Sequence, residues 1–194
     1  MQFPLFVRSK FLTLMNEWTI YDDNYNEVFY FTKERFKPRE RIQIYNDKTK
    51  KKLMYEMNAR KIIDFDGEYP ITNFKGELVG TVERDGYESL INTQYVIYNS
   101  SGQRRIIVKR NYSWRDYIDI ALEAIPIPGL LDLLPIDFLR SKYMIVTHEA
   151  QHVIDILPTY RNLRQGFEID MIDDLDAEDL ELAMIGLIAL MVIR

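Results

Sequence analysis

"DAEDLELAMIGLIALMVIR", residues 176–194, decides the architecture of this chain. Asp176 is placed to cap a helix, and Glu178, Asp179 and Glu181 complement the positive end of its dipole. From Leu182 to Ile193 every residue is apolar or glycine. A helix apolar on all sides is either enclosed by protein or dissolved in a bilayer. Twelve such residues reach about 18 Å, well short of the ~30 Å hydrocarbon core, so enclosure is expected and a short tail anchor is the lesser alternative. A sheet closed around the helix would bury it on every side.

The preceding sequence supplies such a sheet. A pattern recurs in which an Ile is followed by a polar stretch, and an apolar run resumes seven to nine residues after the Ile. It appears as "IYDDNYNEVFYF" from Ile20, "IYNDKTKKKLMYEM" from Ile44, "ITNFKGELVGTV" from Ile71 and "IYNSSGQRRIIV" from Ile97. Turn-forming residues in the middle and β-branched or aromatic residues on both sides read as hairpins. Alternation in Leu78-Val79-Gly80-Thr81-Val82-Glu83 predicts half-buried antiparallel strands. "IVTHEAQHVIDI" from Ile145 resumes at Val153 and reads as a fifth hairpin, with HEAQ at its tip.

Composition agrees with one globular domain spanning residues 1–194. Apolar residues make up 47% and charged residues 28%, which excludes a disordered chain. Thirteen Tyr and ten Phe against eight Gly favour strands with aromatic cross-strand packing over a helical bundle. The absence of cysteine excludes a disulfide framework and a thiolate zinc site, and it agrees with a reducing compartment. "MQFPLFVRSKFLTL" lacks the features of a signal peptide, so a cytoplasmic chain is expected. Residues 113–142 hold three prolines amid Leu and Ile, and are expected to form a short helical insertion between strands.

These strand phrases, such as "VRSKFLTLMNEWTIYDDNYNEVFYF" and "YVIYNSSGQRRIIVKRNYSWRDY", together with the apolar C-terminal helix, resemble the LURP-one-related family. That family belongs to the tubby C-terminal-like superfamily, which also contains the phospholipid scramblases. The resemblance covers about residues 5–111 and 143–193. It implies a closed antiparallel barrel of about a dozen strands threaded by the helix at 176–193. It implies at most a lipid- or membrane-associated role, because tubby-type domains bind phosphoinositides and scramblases act at bilayers. Members of the LURP-one-related branch largely lack an assigned biochemical activity, and a non-enzymatic barrel is expected.

Charge points to where such a role would sit. The net charge is −5, yet residues 33–61 carry eleven Lys or Arg against four acids. Residues 170–181 hold seven acids and no base. Lys48, Lys50, Lys51 and Lys52 fall on the second hairpin tip and are the candidate contact for an anionic lipid, which would leave the chain cytoplasmic and peripheral at the membrane. A solvated hairpin is the plainer meaning of the same lysines. The acidic total and the lack of any recognised module argue against nucleic acid, and no cofactor is expected.

Two alternatives come from other classes. His148-Glu149-Ala150-Gln151-His152 is a literal H-E-x-x-H, in which two imidazoles bind zinc and the glutamate acts as general base of a metallopeptidase. That chemistry needs a helix to bring His148 and His152 to one face, and a third ligand; the strand-like residues around the motif and the absence of further His or Cys argue against it. The other is a protein-interaction scaffold using the 113–142 insertion.

Overall fold

The computed structural model describes residues 2–10, 15–34, 41–58, 67–84, 94–111, 142–159 and 166–193. Twelve strands follow one another: β1 (Leu5–Lys10), β2 (Met15–Tyr21), β3 (Glu27–Glu34), β4 (Arg41–Tyr45), β5 (Leu53–Asn58) and β6 (Glu68–Asn73). Then come β7 (Leu78–Arg84), β8 (Gln94–Asn99), β9 (Arg104–Asn111), β10 (Lys142–Thr147), β11 (His152–Thr159) and β12 (Gly166–Met171). Each pairs antiparallel with its neighbours in sequence, and β1 pairs with β12, so the meander closes into a barrel without free edges. The expected helical insertion lies outside the described residues, save Lys142, which is the first residue of β10 and not of a helix.

The recurring isoleucine marks one structural device used five times. Ile20, Ile44, Ile71, Ile97 and Ile145 are all fully buried. Immediately after each, the register with the partner strand shifts by a β-bulge. Such bulges raise the local twist, which a closing sheet requires. A polar residue then opens the turn: Asp22, Asp47, Asn73, Asn99 or Thr147. Its carbonyl accepts from the N–H three residues on, at 2.9–3.3 Å, and that third residue takes left-handed backbone geometry. Its side-chain oxygen also accepts from a turn N–H, as in Asn26 N to Asp22 Oδ1 at 2.8 Å and Gln103 N to Asn99 Oδ1 at 2.9 Å. Asn and Asp suit this position because the side chain satisfies turn donors that strands leave unpaired. At the first tip the hydrogen bonds from Asn26 hold the Asp22 carboxyl below the usual carboxylate range.

The helix α1 (Ala177–Val192) runs inside the barrel. Asp176 caps it, accepting from Asp179 N at 2.8 Å, as the sequence led one to expect. All residues from Leu182 to Ile193 are buried, hence every face of the helix is covered. The closest packing is on β8 and β9, with β7 beside them. Side chains from the barrel wall tie down both ends. Arg105 on β9 donates to both Asp179 carboxylate oxygens at 2.8 and 2.9 Å, and lies 3.5 Å from Asp176. At the far end the Lys33 ammonium donates to the Val192 carbonyl at 2.9 Å, and the Tyr95 hydroxyl donates to the Ile193 carbonyl. The last turn of α1 contains no basic residue, so Lys33 supplies from β3 the positive charge that a helix C-terminus favours. No helix among the described residues is long and apolar enough to cross a membrane.

Candidate functional site at the hairpin-tip end

The five tips all lie at the end of the barrel where α1 begins, because each joins an even-numbered strand to the next odd one. Their order around the rim follows the strand order: residues 22–26, 46–52, 74–77, 100–103 and 148–151. The link from β12 into α1, residues 172–176, completes the ring. Every functional candidate named in the sequence, outside the 113–142 segment, therefore falls on one rim.

The HEAQH residues form part of a tip and not a helix. His148, Glu149 and Ala150 make the turn, Thr147 N donates to Gln151 O at 2.9 Å, and His152 already belongs to β11. The shared helical face that a two-histidine zinc site requires is absent. The two side chains have separate neighbours instead: His148 Nε2 lies 3.8 Å from Glu149 Oε1, while His152 Nε2 lies 3.0 Å from Asp155 Oδ1. Among the described residues no cluster of three or more His, Cys, Asp or Glu is placed to hold a metal ion.

This tip also lacks glycine where Gly76 and Gly102 serve the corresponding tips, and Ala150 takes φ +66° in their place. A left-handed L-residue costs about 1–2 kcal/mol, partly offset because glycine gives the unfolded chain 0.4–1 kcal/mol more entropy to lose. Ala150→Gly is therefore expected to stabilise the protein by roughly 0.5–1 kcal/mol and raise Tm by a few degrees. A calorimetric scan showing a lower Tm would contradict this account of the turn.

The lysines sit on the 46–52 tip as expected, in unequal surroundings. Lys48 is paired with Glu27 on β3 at 2.6 Å, which raises its pKa by hydrogen bonding and charge attraction. Lys50, at φ +58°, places its ammonium 5.4 Å from the centroid of the Tyr30 ring. Lys51 and Lys52 are exposed.

What sequence reading missed lies on either side of these lysines. On the preceding tip Tyr25 is 60% exposed, with the Arg8 guanidinium 5.9 Å from its ring centroid. On the following tip Phe74 is 64% exposed beside Lys75, and Leu78 just beyond is also exposed. In the sequence Phe74 and Tyr25 look like ordinary strand aromatics. Phe74 is a tip residue because it lies between Asn73 and the left-handed Gly76, and Tyr25 because it is itself the left-handed residue three after Asp22. Farther round the rim the charge reverses, at Glu149, Asp173, Asp174, Asp176 and Glu178. The end of the barrel is thus polarised, basic at β4–β5 and acidic from β10 to α1.

In comparisons with known proteins, no family model, curated protein or solved structure matches this chain. Tyr55 on β5 and Glu181 on α1 are two more polar residues at this end, lining the same space inside the barrel mouth. Burial, reinforced by the Glu181 carboxylate, drives the Tyr55 phenol far above its ordinary value, so it remains a donor.

Proposed function

We propose that this chain is a non-catalytic binding module of tubby-like type, whose hairpin-tip end rests on anionic membrane surfaces. The observation that carries this reading is the lysine tip flanked on the rim by two tips that expose aromatic rings. Aromatic and aliphatic side chains settle at the headgroup boundary, while lysines draw the rim toward anionic lipid. Each lysine near such a surface contributes on the order of 1 kcal/mol, fading within a Debye length. Lys50, Lys51 and Lys52 carry that attraction; Lys48 adds less, since Glu27 already offsets its charge. Attachment would be reversible and salt-sensitive, and tilted, with the acidic side of the rim held away from the bilayer.

Cosedimentation with phosphatidylserine-containing vesicles, against neutral phosphatidylcholine, tests this. Replacing Lys48, Lys50, Lys51 and Lys52 by Ser is expected to weaken partitioning roughly a hundredfold, as three kcal/mol of lost attraction implies. Phe74→Ala is expected to weaken it less and without changing the salt dependence. Equal binding by wild type to both vesicle types, or unaltered binding by the quadruple variant, would defeat the proposal.

A further inference from the structure

A cavity of about 240 Å³ runs between α1 and the strands facing it, β3 and β5. Its inner wall is a single stripe of the helix, made by Leu180, Met184, Ile185 and Ile188, with Ala177 at the start. The outer wall is Phe29 and Tyr55. Ala177 to Ile188 spans about 16 Å at 1.5 Å per residue, so the space is long and narrow. It reaches solvent at the tip end, where Ala177 is exposed, and deepens toward Ile188, which is fully enclosed.

The chemistry of the lining is uneven. Among the described residues Glu181 is the one charged side chain lining it, and it sits near the open end, where Tyr55 also lines the wall. Arg105 on β9, which reaches the first turn of α1, is already committed to Asp179 and Asp176. Glu178, Asp176, Asp174 and Asp173 add negative charge around the same end of the helix. A carboxylate accepts up to about four hydrogen bonds, so even beside Tyr55 the Glu181 side chain can receive a donor at the mouth.

We infer that this cavity is a binding site for a cationic single-chain amphiphile, with the alkyl chain along the helix stripe and the ammonium on Glu181. An alkyl chain matches the walls, which bury methylenes at about 0.8 kcal/mol each. The ammonium replaces lost hydration with a charge-assisted hydrogen bond. A fatty acid of the same length would bring a second carboxylate against Glu181 and is excluded by repulsion. The site is separate from the lysine rim and does not rest on the membrane reading.

Decylamine, decanol and decanoate, titrated below their aggregation concentrations into the intact protein by calorimetry, distinguish the outcomes. Decylamine is expected to bind at one site, at least tenfold tighter than decanol, with no binding of decanoate. Glu181→Gln is expected to bring decylamine down to the level of decanol while decanol is unchanged, which a purely structural role for Glu181 would not produce. Ala177→Trp, at an exposed position in the first turn, is expected to keep the wild-type melting profile and to abolish binding of both. Absence of decylamine binding, preference for decanoate, or full binding by well-folded Ala177→Trp would overturn the assignment.

Discussion

A chain ending at Asp176 is expected to lose cooperative unfolding altogether. Removing α1 takes away nine large apolar side chains between Leu182 and Ile193, all at most 4% exposed. At about 1.5–3 kcal/mol each, their burial is worth roughly 14–27 kcal/mol, an upper estimate because unfolded chains already bury some surface. A domain's net stability is only about 5–15 kcal/mol. The loss also strips the inner faces of the strands, since Ile20, Ile44, Ile71, Ile97 and Ile145 point into the same interior. Side-chain caps on β3, β8 and β9 would lose their partners as well: Lys33, Tyr95 and Arg105 each bond to α1 or its cap. Near-ultraviolet circular dichroism and thermal melting of the truncated protein check this. A sharp transition within a few degrees of wild type would mean that the sheet closes on its own core.

Enlarging Gly186 is expected to be nearly as harmful, for the opposite reason of excess volume. A Cβ at this position would lie 2.8 Å from both Ile97 Cδ1 on β8 and Val108 Cγ2 on β9. Alanine gains about 1 kcal/mol in helix propensity over glycine, while overpacking a filled core costs about 1–3 kcal/mol. Val108 has little room to give, because its cross-strand partners Tyr95 and Ile145 are themselves buried. Sterics should therefore prevail. Gly186→Ala is expected to lower stability by about 1 kcal/mol and Gly186→Leu by about 3 kcal/mol or more, read from urea midpoints at unchanged m. Helical periodicity puts Gly186 on the face of α1 opposite the cavity between helix, β3 and β5. Relief by a shift of α1 into that space would spare stability and close the cavity, so the alanine variant would then bind decylamine more weakly. A raised urea midpoint with intact binding would show that the β8–β9 wall yields.

The sequence alone determined that a barrel encloses a helix. Unbroken apolarity from Leu182 to Ile193 leaves a helix no exposed face, and five Ile-led repeats announce hairpins whose strands must go around it. It also placed HEAQ and the four lysines at tips, because polar residues between two apolar runs have to turn the chain. The H-E-x-x-H spacing is decisive only on a helix, and here Ile145 and Val153 set strand geometry on either side of it. Other features depend on which strands become neighbours, which local pattern does not encode. Tyr25 and Phe74 flank the lysine tip because β3 pairs with β4 and β5 with β6, bringing together residues about 25 positions apart from each other or more. Arg105 meets Asp179, and Tyr55 meets Glu181, only because the helix enters the closed barrel from the tip end. The cavity exists because α1 lies against β8 and β9 rather than on the axis, an offset set by the close approach at Gly186. Periodicity could say that the helix is enclosed; only side-chain volumes packed in three dimensions could decide on which side space was left.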